Sequence, residues 1–186
     1  MARGPGDSGV RSTVMEDTPI GHLGIWATRN GVRRIGFAVD DLAGPDRDGG
    51  PRPGHLSDAV RQLQEYFHGS RTSFDVELDF SGATEFQRRI YRRLLQIPHG
   101  RIISYGDIAD ELGEPGAARA VGQAVGANPL PIVVPCHRVV RSDGRLGGYA
   151  GGLVRKVTLL RLEGIDVEGP RAASRVHPEV LRLPLL

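Results

Sequence analysis

The sequence predicts an α/β (α+β) protein in two parts: a small α/β front domain and a mainly helical back domain, divided near Gly82. Three observations lead there. Ile35, Phe37 and Val39 alternate on one face, and Phe74, Val76, Leu78 and Phe80 alternate strictly with Asp75, Glu77 and Asp79, the period of strands with one face in a core. Leu56, Val60, Leu63 and Phe67 fall at helical spacing between those two segments. After Gly82, Thr84 followed by Gln87 has the form of a capping box, and Ser104 followed by Asp107 opens a further helix.

Residues 1–14 are Gly- and Arg-rich without an apolar stretch and are expected to be a disordered leader, so the front domain spans 15–81. From Ile20 to Val39 the chain reads as two short strands turning at Asn30-Gly31. Residues 40–54 hold seven Gly or Pro and four Asp, the composition of a loop or insert. The helix of Leu56 to Phe67 ends at Gly69, and 74–80 is expected to be a half-exposed strand. In the back domain, 82–168, the first helix has core positions Phe86, Ile90, Leu94 and Ile97 and stops at Pro98. A short helix from Ser104 through Leu112, a turn at Gly113–Gly116 and a helix from Ala117 to Val125 make a helix-turn-helix outline. The tail, 169–186, has no clear period, and the sequence offers no role for it.

Of 186 residues, 39% are hydrophobic and 25% charged, which excludes a mainly disordered or fibrous chain, while 39 Gly and Pro predict many loops. The basic residues are 23 Arg and one lysine, Lys156. The net charge of +2 says little, but Phe86 to Arg161 carries 12 basic and 5 acidic residues, a net of +7, against −5 for the rest. That asymmetry fits either a back half facing a polyanion or an uneven surface composition. The single cysteine, Cys136, excludes an intramolecular disulfide and a cysteine-rich zinc site. With no signal-peptide pattern and no apolar run of membrane-spanning length, a soluble cytoplasmic protein is expected.

The chemistry concentrates in Asn128-Pro129-Leu130-Pro131-Ile132-Val133-Val134-Pro135-Cys136-His137-Arg138-Val139. A lone cysteine is ordinarily an inert small hydrophobe, and a lone histidine a satisfied core residue. Here His137 follows the cysteine directly, with Arg138 and Arg141 beyond, so cationic groups are expected to lower the thiol pKa and populate the nucleophilic thiolate. Three prolines stiffen the approach.

The run Pro135-Cys136-His137-Arg138-Val139 resembles the active-site signature of the methylated-DNA–protein-cysteine methyltransferases, the O6-alkylguanine-DNA alkyltransferases. The resemblance extends to Ser104-Tyr105-Gly106, Ala118-Arg119-Ala120-Val121-Gly122, Asn128-Pro129, Gly151-Gly152-Leu153, Thr18-Pro19-Ile20-Gly21 and the Leu63–Phe67 helix, covering roughly residues 15 to 168. It implies a ribonuclease-H-like front domain and a winged helix-turn-helix-like back domain. It also implies direct reversal of DNA damage. Cys136 takes the alkyl group from O6-alkylguanine, with O4-alkylthymine left open, and is spent in one turnover.

Roles follow from the resemblance. His137 acts through a water as base and Glu163 orients it; alone, Glu163 reads as a solvated helix-end carboxylate. Tyr105 donates to the departing guanine, although by itself it is a half-buried aromatic. Asn128 ties the turn to the helix-turn-helix and hydrogen-bonds near the thiol. Tyr105, Pro131, Val139, Tyr149, Ala150 and Gly151 line the base pocket. Ala118, Arg119, Ala120, Gly122 and Ser104 face DNA, with Arg119 filling the gap left by a flipped base. Without the resemblance, the small residues read as helix packing and Arg119 as a solvated charge. The implied partner is double-stranded DNA carrying alkylated guanine, bound by a monomer, with clustering on DNA left open and no membrane involved. No cofactor or metal is implied, since the cysteines of the zinc site found in some relatives are absent. Ala150 stands where many relatives carry serine. The alternative is a non-catalytic module that flags alkylguanine, which the presence of Cys136 disfavours. A Cys/His hydrolase lacks an oxyanion-hole motif, and a transcription regulator lacks a visible dimerisation or effector segment.

Overall fold

The front domain of the computed structural model rests on an antiparallel sheet of β1 (Arg11–Met15), β2 (Leu23–Thr28) and β3 (Gly31–Gly36), in that spatial order. The structure describes residues 10–37 and 53–176. Leu23, Ile25, Ala27, Val32 and Ile35 are buried from one side of the sheet. The β2–β3 turn requires glycine at 31: its φ is +135°, and a Cβ there would lie 2.4 Å from the Glu77 carbonyl oxygen. The pairing skips Arg33, with Trp26 opposite Arg34 and Ala27 opposite Val32. This bulge turns the main chain of both Val32 and Ile35 toward the free edge. There Val32 N–H donates to Glu77 (2.8 Å), Asp79 N–H donates to Val32 (2.8 Å), and Ile35 N–H donates to the carbonyl of Pro129 (2.8 Å).

That shared edge corrects one expectation. Residues 74–80 are not a strand: they make a single parallel bridge, Val32 to Leu78, because the back domain occupies the rest of the edge at Pro129. Their alternation is instead satisfied by Phe74, Val76, Leu78 and Phe80 packing half-buried on the core. A second correction concerns the leader, since residues 11–14 belong to β1. Only Met15 of that edge strand is buried, so its sequence carries almost no hydrophobic period. Residues 1–9, Val39, the loop expected over 40–54 as far as residue 52, and residues 177–186 lie outside the described residues.

Helix α1 (Pro53–Phe67) packs Ala59, Leu63 and Tyr66 against the sheet and is followed by Gly69 at φ +74°. The back domain begins with α2 (Glu85–Leu95). There Thr84 Oγ1 accepts from Gln87 N–H (3.2 Å) and Gln87 Oε1 accepts from Thr84 N–H (2.9 Å), completing the capping box. The same reciprocal pair, Ser104 with Asp107, starts α3 (Tyr105–Glu111) directly after the short β4 (Ile103–Ser104). Helix α4 (Ala118–Gly126) buries Val121, Ala124 and Val125 against the neighbouring helices. A 3₁₀ turn, Cys136–Arg138, leads into β5 (Val139–Val140), parallel to β4, and α5 (Leu153–Leu162) follows.

One apolar core runs from Met15 in the sheet through α1, α2 and α4 to Leu159 in α5. A smaller one gathers Ile102, Val140, Leu146, Val157, Leu160, Ile165, Val167 and Val176. Residues 169–176 return to this second core, where Leu146 N–H donates to Ser174 (2.9 Å) and Val176 N–H to Gly144 (3.1 Å). Among the described residues no helix is long and apolar enough to cross a membrane.

Candidate active site

After α4 the chain is locked by Asn128. Its Oδ1 accepts from Leu130 N–H (3.0 Å) and its Nδ2 donates to the Val134 carbonyl (2.8 Å), closing the loop that carries the prolines. Ile132 sits inside that loop, fully buried, with φ +77°. For a β-branched residue this conformation costs about 1–3 kcal/mol and persists only where packing enforces it. The loop delivers Cys136 to the first position of the 3₁₀ turn, only 6% exposed.

Burial pushes the Cys136 thiol pKa up, above the ordinary 9.0. Hydrogen bonding by Asn128, the nearby ammonium of Lys156, the local backbone and Tyr149 pull the other way without cancelling it. The expectation that surrounding cations leave a resting thiolate is therefore overturned. The physical reason is burial of the sulfur, which the cations nearby do not offset. Arg138 is directed into the core, with Nε and Nη2 each 2.8 Å from the Glu163 carboxylate and Nη1 2.5 Å from the Ile97 carbonyl. Its charge serves the carboxylate rather than the sulfur.

Glu163, the residue that closes α5, is 5% exposed and gathers five donors. Oε1 accepts from Tyr66 Oη (2.7 Å), His137 Nε2 (2.8 Å) and Arg138 Nη2; Oε2 accepts from Arg138 Nε and Gly100 N–H (3.2 Å). His137 and Arg138 hold its pKa far below the usual carboxylate range despite the opposing effect of burial. An ionised carboxylate only accepts hydrogen bonds, so Nε2 of His137 must carry the proton and Nδ1 is left as the basic nitrogen. Burial lowers the imidazole pKa, so the ring is neutral at rest, and its Nδ1 makes no hydrogen bond within the protein. The pair is thus a histidine fixed in one tautomer with its base lone pair unused.

Lys156 is fully buried and donates to the carbonyls of Val139 (2.7 Å) and Leu146 (2.6 Å). Burial brings its pKa down to about 8. It ties β5 behind the cysteine to the glycine-rich loop that starts at Leu146.

In front of Cys136 opens a cleft of about 1180 Å³. Tyr105, Asn128, Pro131, Tyr149, Ala150 and Gly151 line it, as do Ala118, Arg119 and Gly122 of α4. The Tyr105 ring packs between Gly122 and Gly147, and burial together with the neighbouring Cys136 raises its phenol pKa. Tyr149 is buried at its hydroxyl, which makes no regular hydrogen bond but lies close enough to the sulfur to favour the thiolate. Arg34, Arg119 and Arg141 also line the cleft.

Three expected residues lie elsewhere. Val139 is fully buried behind the cysteine, where β5 pairs with β4, so it does not line the cleft. Ser104 is 2% exposed and its hydroxyl is committed to the α3 cap, so it is not available to DNA. Ala120 is exposed on α4 but outside the cleft lining. His137 and Glu163 stand behind the cleft wall rather than in it.

Sequence reading missed Tyr66, Arg138 as a partner of Glu163, Lys156, Arg34 and Phe37. Two of these left a signal. Lys156 is the one lysine in a chain that otherwise uses arginine, which marks a place where a compact ammonium fits and a guanidinium fork does not. Tyr66 puts a hydroxyl on the buried stripe of α1, where it needs a partner.

Residues 85–165 match the family model described as the 6-O-methylguanine DNA methyltransferase, DNA binding domain, and residues 10–80 match its ribonuclease-like domain. A methylated-DNA–protein-cysteine methyltransferase of Mycolicibacterium paratuberculosis is 53% identical over 148 residues, covering 79% of this chain and 88% of that protein. One from Salmonella typhimurium is 50% identical over 121 residues, covering 65% and 69%. The crystal structure of Mycobacterium tuberculosis O6-methylguanine methyltransferase superposes with a TM-score of 0.70 at 47% identity, covering 83% of this chain and 92% of that one. The structure of the same organism's protein in complex with DNA gives 0.69 at 47% identity, with 83% and 91% covered.

Proposed function

Because this chain belongs to the 6-O-methylguanine DNA methyltransferase family, which repairs DNA by moving an alkyl group onto a cysteine, we propose that Cys136 is the acceptor and the cleft before it receives a flipped O6-alkylguanine. One observation carries the assignment. The only cysteine of the chain faces a cleft lined by α4, and the next residue, His137, is held in one tautomer by Glu163 behind the wall.

Nδ1 of His137 takes the thiol proton through a bridging water, and Glu163 offsets the charge of the imidazolium that forms. The sulfur attacks the alkyl carbon in line with the C–O6 bond. As the S–C bond forms, the C–O6 bond breaks and its electron pair stays on guanine. Tyr105 supplies a proton to the departing base, which lowers the cost of that developing charge. The product is a thioether and intact guanine, and no step regenerates the thiol.

Reaching O6 requires the nucleotide to leave the stack. Arg119 is exposed on α4 beside the half-buried Ala118 and Gly122, short residues that let the helix approach a groove closely while one long cation projects from it. We assign Arg119 to the gap left by the flipped base, with Arg34 and Arg141 contacting phosphates independently of sequence. A monomer working in the cytoplasm suits a lone thiol that must stay reduced until it meets a lesion.

The test is the intact mass of the protein after mixing with a duplex carrying one O6-methylguanine. A single gain of CH₂ mapped to Cys136 and ending at one equivalent is expected, with none in Cys136→Ser. Tight lesion binding without any gain would overturn the proposal and leave a damage-flagging module.

A further inference from the structure

We propose that Phe37, supplied by the front domain, limits the size of the alkyl group that Cys136 accepts. The inference rests on the alkyl-transfer reading above and concerns the shape of that same cleft.

In-line attack places the sulfur, the alkyl carbon and O6 on one axis. A methyl group needs no room beside that axis, whereas any larger substituent on the carbon must project sideways into the walls near the sulfur. One such wall is Tyr149, which lines the cleft together with Cys136. Phe37 lies against it, with ring centroids 6.0 Å apart and planes tilted by 57°. Phe37 also fills the space over Gly151: a Cβ built at 151 would fall 2.5 Å from Cε2 of Phe37 and 2.8 Å from Cε1 of Tyr149. The two rings and Gly151 therefore form one closely fitted surface of the cleft, contributed half by the sheet domain and half by the pocket loop.

That surface is pinned. The Arg155 guanidinium stacks over the Phe37 ring at 5.2 Å. Its Nε donates to the Ile20 carbonyl (2.7 Å) and its Nη1 to the Gly151 carbonyl (2.9 Å). One side chain thus holds the front-domain backbone, the pocket loop and the aromatic ring in fixed relation. A ring clamped in this way resists displacement by a substituent, so the wall acts as a size limit.

The experiment compares single-turnover rates of transfer to Cys136 from two duplexes, one carrying O6-methylguanine and one O6-benzylguanine. Wild type, Phe37→Ala and Phe37→Leu are each measured on one preparation. Any loss of folded protein cancels in the benzyl-to-methyl ratio, and the leucine variant keeps apolar volume if the alanine variant folds poorly. Opening the wall is expected to raise the ratio by about tenfold or more in Phe37→Ala and by less in Phe37→Leu, the range over which pocket size discriminates between substrates. A ratio staying within about twofold of wild type in both variants, with methyl transfer intact, overturns the role of Phe37 alone. Absence of methyl transfer in the wild-type protein overturns the alkyl-transfer reading itself, and this inference with it.

Discussion

Cys136 is held in a protonated, sheltered state, and its reactivity has to be created when substrate arrives. Burial raises its pKa, and the stabilising influences of Asn128, Lys156 and Tyr149 only moderate that rise. A thiol with a raised pKa is mostly S–H at neutral pH, which protects it from oxidation and from stray electrophiles. Under the proposed transfer a base is then required, and the fitness of His137 for that role depends on Glu163 fixing its tautomer. A prediction follows for a small reagent that does not need the base. The rate of iodoacetamide modification of folded Cys136 should rise with pH, roughly tenfold per unit, without levelling off until above pH 9, because only the thiolate reacts. The same chain unfolded in urea should level off near its ordinary value of 9.0. A plateau near pH 7 in the folded protein would restore a resting thiolate and make the histidine base redundant.

At the scale of elements, the reciprocal caps separate residues spent on folding from residues left exposed on the helices. Ser104 and Arg119 both fall in motifs associated with DNA binding, yet Ser104 is spent on the N-terminus of α3 while Arg119 is exposed on α4. Ser104→Ala should lower unfolding free energy by about 1 kcal/mol, the usual worth of an N-cap, and leave the affinity for undamaged duplex unchanged. Arg119→Ala should leave stability unchanged and slow transfer from duplex far more than transfer from the free alkylated base. Denaturant unfolding and paired rate measurements check both; equal slowing on duplex and free base would remove Arg119 from the flipping step. The helices were legible because caps and spacing are local signals, as at Thr84 and Gln87. The segment 74–80 was misread because alternation records which side chains are buried, not whether a neighbouring strand has free hydrogen bonds, and Pro129 had taken them. Cys136, His137 and Glu163 were legible as a set through the family resemblance. The direction taken by Arg138, and the arrival of Tyr66 from 97 residues away, exist only after folding.

Across the whole molecule, the two domains are joined to one another, with the Glu163 carboxylate at the seam. Tyr66 of α1 donates to Glu163, Ile35 of β3 donates to Pro129, Arg155 of α5 donates to Ile20, and one apolar core continues through both domains. Trp26, the only tryptophan, lies in β2 beneath the Arg34 guanidinium at 4.9 Å and reports on the front domain, whereas most helix belongs to the back domain. Unfolding followed by tryptophan fluorescence and by far-ultraviolet circular dichroism should therefore superimpose. Tyr66→Phe removes one hydrogen bond to a buried carboxylate, so it should shift both curves together by about 1.5–3 kcal/mol. Four donors then remain on Glu163, so the His137 tautomer survives and the loss falls on stability rather than on the identity of the base. Two separated transitions, with only the fluorescence curve moved by the substitution, would mean that the front domain melts independently. Glu163 would then be organised by the back domain alone, through Arg138, His137 and Gly100, and the front domain would act on the reaction only through the residues it lends to the cleft, Arg34 and Phe37 among them.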